Sequence, residues 1–385
     1  MLTTLVLNED IIVEILTRLP AKEIAKLRCV CKRWLSLASE PRFIQYHNAR
    51  NPHPSTSGFF LHDHKQRASY FPLNLKPPGL PDPSFTFIPT SSDRDQINIE
   101  SSCNGLILCR LIIISEVVKY VHYVCNPTTR EFVEVPIPKD VGRNFSLAFD
   151  PSKSPHYKVV SIGSQIHVYS SATRSWNLSI DKESLREYGG PHGIHSYGSV
   201  LWNGALIWIG MECLLSFDVE GEYLKKLPMP PEPHKFLRVL YIGESRGKLQ
   251  MIGKVKNEQI STAFDILEMD SPCSGWSVLH HVDLDPIKDL YPEIQEIRMV
   301  CMSGFAGSNR NITPPKIFQG FFPVYFMRGG EEGRGEEGTL LLSVPRKIIS
   351  YDLRSKAFGT VCEVLYSQPY EWYRMHTFGH TFFSP

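Results

Sequence analysis

The sequence predicts a mainly β fold of the β-propeller type, preceded by three short helices. Three observations predict it. Apolar residues recur at helical spacing only between Asp10 and Phe43, and a Pro- and Ser-containing stretch, Arg50–Gly58, follows them. Beyond that stretch, strand-like runs alternate with turn residues, and pairs of hairpin motifs repeat along the chain.

Two prolines divide the helical segment. Pro20 ends the first predicted helix and Pro41 ends the third, because proline cannot continue an α-helix. The first helix carries a broad apolar stripe made by Ile11, Ile12, Ile15, Leu16 and Leu19. The second helix carries Ile24 and Leu27, and the third carries Cys31, Trp34 and Ala38 with Val30 and Leu37 alongside. We place this helical domain at residues 5–47, a linker at 48–57 and a β domain at 58–385.

Three helices of this length bury little surface by themselves. Domains below about 40 residues usually need a disulfide, a metal or a partner. No metal-ligand spacing occurs there, and Cys29 and Cys31 are too close in sequence to form a favourable disulfide. Part of the apolar stripe is therefore expected to face another protein or the domain behind it. A helical cap packed only on its own neighbour is the alternative.

The helical segment resembles an F-box, and the run LRCVCKRW is close to the form found in the large plant F-box family. The matching positions are Leu7, Asp10, Ile15, Leu16, Leu19, Pro20, Leu27, Arg28, Val30, Cys31, Lys32, Trp34, Pro41, Arg42 and Phe43. Asn8 departs from the family, which usually has proline there, but asparagine is a good helix cap. The resemblance implies an apolar helix-in-groove contact with the Skp-type adaptor of a cullin–RING ubiquitin ligase. The implied adaptor-binding residues are Leu7, Ile11, Ile15, Leu16, Leu19, Pro20, Leu27, Val30, Cys31 and Trp34.

Basic residues accumulate in the same segment. Between Arg18 and Arg50 there are eight Lys or Arg residues but only two acids, Glu23 and Glu40. This local excess would suit an acidic partner, although a solvated helix surface would have the same composition.

The β domain repeats an inner hairpin. Four stretches show it, beginning at Asn104-Gly105, Asn203-Gly204, Arg246-Gly247 and Gly338-Thr339. Asn-Gly between apolar runs is a strong hairpin signal, because a type I′ turn needs positive φ at both central residues.

An outer motif also recurs, in which a strand and a polar turn lead to an aromatic residue. These aromatic residues are Phe132, Trp176, Tyr223, Trp276 and Phe358, at steps of 44, 47, 53 and 82 residues. Short strands without helices at such a period are typical of a β-propeller, with a β-sandwich as the alternative. The Gly- and charge-rich stretch Arg328–Gly338, which we expect to be disordered, lies within the longest step. The pattern therefore allows six to eight blades.

The units of the β domain resemble the F-box-associated, kelch-like repeats of the same plant family. The runs SCNGLILC, VCNPTTREF, AFDPSKSPHYKVV and SVLWNGALIWI, between Ser101 and Pro230, carry this second resemblance. In that family the two domains occur together in this order, which implies a receptor with an adaptor-binding F-box and a target-binding propeller.

Composition gives no case for nucleic-acid or membrane binding. The net charge is +1, and no apolar run approaches the roughly 20 residues that a membrane helix needs. The N-terminus lacks the basic start of a signal peptide, and nine scattered cysteines without a CxxC pair suit a reduced compartment. We expect a cytoplasmic and/or nuclear protein.

No motif for catalysis stands out. The chain lacks His-Glu-x-x-His, a phosphate loop and Gly-x-Ser-x-Gly. The pairs His62/His64 and His280/His281 fit surface positions better than a metal site, and Cys103, Cys109, Cys125 and Cys213 sit in apolar runs as small hydrophobes. We therefore expect no catalytic residue, metal or cofactor, although some propellers are copper oxidases.

A Gly-rich loop is the strongest sequence candidate for target binding. It contains Tyr188, His192, His195 and Tyr197, just before a strand expected at Ser199–Trp202. Aromatic side chains on adaptable backbone suit protein recognition, although a turn that binds no partner can have the same composition. Arg238, Arg310, Trp372 and Tyr373 are weaker candidates.

These expectations converge on a substrate-receptor subunit of an SCF-type cullin–RING ubiquitin ligase. The helices would bind the Skp adaptor, and through it the cullin and RING subunits, while the propeller would bind an unidentified target protein. A ligase-independent interaction protein and a propeller oxidase are the alternatives.

Overall fold

The computed structural model describes residues 9–19, 21–27, 30–50, 56–62, 68–73, 81–142, 144–188, 194–210, 213–231, 237–255, 262–272, 274–292, 294, 321–328, 338–364, 375–379, 381, 383 and 385. Within these ranges it is mainly β, with a small helical domain at the N-terminus. The predicted fold class is therefore confirmed.

The helical domain contains four helices in its described part. They are α1 (Glu9–Leu16), α2 (Ala21–Leu27), α3 (Lys32–Ser39) and α4 (Pro41–Arg50). The sequence predicted three, with Pro41 as a stop. Glu40 is extended and does separate α3 from the next residues, but Pro41 then begins α4, since a proline is well suited to the first turn of a helix. Helix α4 continues three residues into the stretch 48–57 predicted as a linker.

Twenty-three described strands form six antiparallel sheets, the blades of a six-bladed β-propeller. Blade 1 contains β3 (Gln96–Cys103), β4 (Leu106–Ile113), β5 (Lys119–Asn126) and β6 (Glu131–Val135). Blade 2 contains β7 (Asn144–Ala148), β8 (Lys158–Ile162), β9 (Ile166–Ser170) and β10 (Ser175–Ile180). Blade 3 contains β11 (Ile194–Trp202), β12 (Ala205–Gly210), β13 (Leu214–Asp218) and β14 (Tyr223–Leu227).

The remaining blades follow the same meander. Blade 4 contains β15 (Leu237–Ser245), β16 (Lys248–Val255), β17 (Ala263–Met269) and β18 (Ser277–Asp283). Blade 5 contains β19 (Phe322–Met327), β20 (Thr339–Val344), β21 (Lys347–Asp352) and β22 (Phe358–Glu363). Blade 6 joins β1 (Gly58–His62) and β2 (Ala68–Pro72) to β23 (Met375–Phe378), in the order β2-β1-β23. Short helices α5 (Lys182–Arg186) and α6 (Ile287–Leu290) lie in the connections after blades 2 and 4.

The inner hairpins have the turns that the sequence predicted. Positive φ occurs at both central residues of three of them, Asn104-Gly105, Asn203-Gly204 and Arg246-Gly247. The fourth has a longer connection between β19 and β20, residues 328–338, most of which lies outside the described residues.

The outer hairpins share a second turn. In blades 1, 2, 3 and 5 a backbone amide donates to the carbonyl of the residue four positions earlier, as Arg130 does to Asn126 and Glu222 to Asp218. The donor residue has positive φ in each case. The aromatic residue identified by the repeat lies within one residue of the start of the last strand of its blade.

Contacts divide the chain into two compact units, Met1–Lys226 with His376–Pro385, and Leu227–Met375. In the first unit, one core cluster lies between blades 1 and 2 and includes Leu106, Val124, Phe149 and Tyr157. In the second unit, Tyr241 and Tyr325 contact each other edge-on between blades 4 and 5. Blades 1 and 2, and likewise blades 4 and 5, thus pack apolar side chains against each other.

Candidate functional site

The helical domain has a filled core. Ile12, Leu16, Ile24, Leu37, Ala38 and Phe43 are buried together. Val13, Leu19, Leu27, Trp34 and Ile44 are partly buried against them. The four helices therefore bury one side of the apolar stripe on α1 by themselves.

The other side of the stripe remains exposed. Ile11 and Ile15 are half-exposed, because residues one position away from Ile12 and Leu16 are rotated about 100° around the helix. Val30 and Cys31, in the turn before α3, are also exposed. Among the described members of the predicted adaptor-binding set, these four are the exposed ones.

The other members of that set have different surroundings. Leu16 belongs to the core, and Leu19, Leu27 and Trp34 lie partly buried against it. Leu7 and Pro20 lie outside the described residues. Sequence reasoning missed Leu35, which is exposed on α3 four residues after Cys31 and bonds to it through the backbone. Its i+4 spacing from Cys31 was the signal that could have identified it.

Helix α4 is fastened to the end of α1 by polar contacts. The Arg50 guanidinium lies 2.9 Å from a Glu14 carboxylate oxygen and donates to Thr17 Oγ1 at 3.0 Å. His47 is buried, and its Nε2 donates to the Leu19 carbonyl at 2.8 Å. Hydrogen bonds from Arg50 and Arg18 lower the pKa of Glu14 from its ordinary value. These contacts hold α1 in a fixed orientation.

Part of the basic excess is neutralised inside the helical domain. Arg18 lies 2.6 Å from Glu14, and Lys26 lies 2.8 Å from Glu23. Lys32, Arg33 and Arg42 are exposed. The positive charge that a partner would meet is therefore smaller than the sequence count of eight.

Helix α4 also reaches the propeller within the first unit. Ile44 packs against the helical core and against the cluster between blades 1 and 2. The same cluster contains Phe383 from the C-terminal segment.

The described C-terminal part of the predicted target loop is a strand. Strand β11 begins at Ile194, so His195 and Tyr197 lie in a strand and not before one. The strand therefore begins before Ser199, its predicted start. A bulge between His195 and Val200, with Gly198 at φ +77°, interrupts its pairing with β12. His192 lies outside the described residues.

Tyr188 makes contacts with neighbouring residues of the β domain. Its hydroxyl donates to the Leu224 carbonyl at 2.9 Å, and its ring packs on the core cluster between blades 2 and 3. Lys226 lies over the same ring at 5.5 Å. Target binding at this tyrosine stays a prediction, and the contacts account for its identity without a target. Arg238 lies in β15, whereas Arg310, Trp372 and Tyr373 lie outside the described residues.

The described residues offer few reactive groups. Among them, no group of three or more His, Cys, Asp or Glu side chains is arranged to hold a metal ion. Burial raises the pKa of the Cys125 thiol well above its ordinary value, so this cysteine stays protonated. His281 Nδ1 contacts Asp265 at 2.6 Å on the surface of blade 4. In the part of the chain that the structure describes, no helix is long and apolar enough to cross a membrane.

Two family profiles match the chain. The F-box domain profile matches residues 5–46, and the profile described as "F-box associated beta propeller domain" matches residues 59–327. The chain is an F-box protein of the F-box-associated propeller family.

Curated relatives agree with this assignment. "F-box protein At5g07610" of Arabidopsis thaliana is 31% identical over 380 residues, covering 92% of this chain and 85% of the relative. "F-box protein At5g49610" of the same plant is 28% identical over 328 residues, covering 77% and 83%. Among solved structures, the extracellular domain of the one component system BT4673 from B. thetaiotaomicron covers 82% of this chain and 35% of its own. At 9% identity and a TM-score of 0.38, that likeness supports no argument.

Membership of this family has general consequences. F-box domains bind Skp1-type adaptors, and F-box proteins are in general non-catalytic adaptors that act as substrate receptors. Of the described F-box residues, Ile11, Ile15, Val30, Cys31 and Leu35 are the exposed apolar and thiol side chains on α1, α3 and the turn before α3.

Proposed function

We propose that this F-box protein is the substrate-receptor subunit of an SCF-type cullin–RING ubiquitin ligase, acting in the cytoplasm and/or the nucleus. Its F-box binds the Skp adaptor and, through it, the cullin and RING subunits. Its propeller binds the target protein. The chain itself needs no catalytic residue for this role, because holding a target near the charged ubiquitin carrier raises the rate by proximity.

One observation carries the adaptor part of the proposal. The F-box core is complete without Ile11 and Ile15, which remain half-exposed on α1 while Ile12 and Leu16 fill the interior. An exposed apolar stripe on a helix of fixed orientation is the feature that helix-in-groove binding uses. The contacts of α4 with Glu14, Thr17 and Leu19 supply the fixed orientation.

The test is a double substitution on that stripe. In the full chain, Ile11→Glu with Ile15→Glu should weaken binding to a purified Skp-type adaptor by roughly tenfold or more. Full burial of an isoleucine contributes about 1.5–3 kcal/mol, and the adaptor would bury the exposed half of each of these two. Isothermal titration calorimetry measures the affinity, and circular dichroism checks that the F-box remains helical.

The matched control is Tyr46→Glu on α4. Tyr46 is also exposed and apolar in character, but it lies outside the predicted adaptor-binding set. Its substitution should leave adaptor affinity within about twofold of the parent, as is usual for surface changes away from an interface. Full affinity in the double variant would exclude the proposed adaptor face. No measurable adaptor binding by the parent chain would favour a ligase-independent role.

A further inference from the structure

A protruding hairpin lies on blade 1, and we call residues 113–121 the hairpin tip. Strand β5 pairs with β4 as far as Lys119, which lies opposite Ile113. Its other neighbour, β6, pairs with β5 only as far as His122, opposite Val135. Residues 119–121 of β5 therefore extend beyond the end of β6.

The chain turns away from β5 directly after β6. Pro136 continues the register opposite Val121, where backbone groups face away from β5. Its carbonyl accepts a hydrogen bond of 2.6 Å from Trp176 Nε1 of blade 2. Pro138 follows two residues later, so the chain leaves β5 at this point.

The backbone of Tyr120 faces the side that β6 has left. The Asn126 carbonyl points to the β6 side, where it accepts from the Arg130 amide. Backbone groups alternate along a strand, so Tyr120, six residues earlier in β5, directs its N–H and C=O to the same side. An open strand edge of this kind can pair with an added strand.

The side chains around this edge are exposed and apolar. Val117 is 70% exposed and Tyr120 is 55% exposed, and Ile114 and Val118 are also exposed. The only charged residues between 113 and 121 are Glu116 and Lys119, so the tip has no net charge. This composition suits an apolar partner better than a strongly charged one.

The tip is also held in one shape. Ser115 Oγ donates to the Val117 carbonyl at 2.6 Å, and the Ile114 amide donates to Asp95 Oδ1 at 3.1 Å. The Arg110 guanidinium lies over the Tyr120 ring at 5.4 Å. A surface that is rigid before binding loses little conformational entropy when a partner arrives.

We propose that the hairpin tip is a target-docking site that takes an extended segment of the target protein. The segment adds to β5 as a strand beside residues 119–121 and lays apolar side chains on Val117, Val118 and Tyr120. A stable dimer of two copies needs about 800 Å² from each partner. Four side chains and a three-residue edge are too small for that, but they suit one peptide segment. This inference rests on the proposed receptor function and assigns the target surface within it.

The test uses a phage-displayed library of random 12-residue peptides, selected on the full chain bound to its adaptor. Peptides with apolar residues at alternate positions should be enriched, because alternate side chains of a strand point to the same face. A synthetic peptide of the selected sequence should lose roughly tenfold or more in affinity, read by fluorescence anisotropy, when Val117→Asp and Val118→Asp are combined. Amide hydrogen exchange of Tyr120 should slow when the peptide binds.

Two variants at one position separate strand addition from simple apolar contact. Tyr120→Ser removes the ring but keeps the amide, whereas Tyr120→Pro also removes the N–H that faces the open edge. The proline variant should bind the peptide more weakly than the serine variant. Val278→Asp in blade 4 is the surface control, since Val278 is 52% exposed, and it should leave peptide affinity unchanged.

Several results would overturn the inference. They are a selection that returns no tip-dependent peptide, equal affinities of the serine and proline variants, and unchanged exchange at Tyr120. A dimer in sedimentation that Val117→Asp and Val118→Asp converts to a monomer would assign the edge to a second copy instead. Adaptor affinity is measured on every tip variant and should stay unchanged. Failure at the tip is thereby distinguished from failure of the receptor proposal, which is tested by Ile11→Glu with Ile15→Glu.

Discussion

At the scale of single residues, two tryptophans use the same contact. Trp176 Nε1 donates to the Pro136 carbonyl at 2.6 Å, and Trp276 Nε1 donates to the Pro228 carbonyl at 2.8 Å. The repeat in the sequence marked both tryptophans as equivalent aromatic positions, but it gave no partner for the indole nitrogen. The partner is a proline carbonyl that comes directly after the last strand of a blade.

Trp176→Phe tests the contribution of this hydrogen bond. The ring can still pack on Tyr169 and Phe145, but the N–H donor is lost, so the free energy of unfolding should fall by about 1 kcal/mol. Urea denaturation of the full chain measures the change.

The equivalent positions in two other blades supply the control. Blades 1 and 5 have Phe132 and Phe358 there, which indicates that a phenyl ring fits this site in a blade. An unchanged urea midpoint in the Trp176 variant would mean that the indole hydrogen bond adds nothing to stability.

At the scale of elements, two inner hairpins have the same turn conformation in different surroundings. Gly105 has φ +86° and Gly247 has φ +78° in turns of the same type. Their surroundings differ. A side chain at Gly105 would meet the Gly379 carbonyl and Thr381 in the C-terminal segment, whereas Gly247 has open space around it.

Gly105→Ala and Gly247→Ala therefore form a matched pair. Both variants place a Cβ on a left-handed residue, which costs about 1–2 kcal/mol. Gly105→Ala should lower the free energy of unfolding further, because it also displaces the C-terminal segment. Urea denaturation measures stability, and carboxypeptidase digestion measures release of that segment. Equal effects of the two substitutions would contradict the contact between this turn and the segment.

At the scale of the whole molecule, the two ends of the β domain meet in the first unit. The Ser57 amide donates to the Phe378 carbonyl at 2.7 Å, and β23 completes blade 6. Asn126 is fully buried and donates to the Thr381 and Phe383 carbonyls at 3.0 and 2.8 Å. Phe383 itself packs edge-on against Phe149 at 4.8 Å.

Residues 56–385 should therefore fold without the F-box, and residues 56–378 should not. The shorter chain loses a buried phenylalanine, worth about 3–5 kcal/mol. It also leaves the Asn126 donors without their acceptors, which costs about 1–3 kcal/mol more. Domains have only about 5–15 kcal/mol of stability in total. Circular dichroism and thermal unfolding measure both chains, and a cooperative transition of the shorter chain equal to that of the longer one would contradict this account.

Much of the fold could be predicted from local patterns. Period-2 alternation, Asn-Gly turns and the recurring aromatic residues identified the hairpins, because each feature depends on residues close in sequence. Apolar spacing likewise located α1, α2 and α3. The pattern missed α4, since the segment after Pro41 has a weak apolar stripe and Pro41 was interpreted as a stop. This helix is held by His47 and Arg50 through contacts with α1, which lies far away in sequence.

By itself, the sequence determined the kind of domains, their order and the residues from which an adaptor face could be made. Only the tertiary structure decided which of those residues remain available, because Ile11 and Ile12 are equally apolar and burial depends on where the other helices lie. The same holds for the candidate target surfaces. Tyr188 donates to the Leu224 carbonyl in the last strand of blade 3, whereas Tyr120 faces an edge that β6 leaves unpaired where the chain turns to Trp176 of the next blade. Local patterns specify turns and strands, but exposure and open edges follow from contacts between residues distant in the chain.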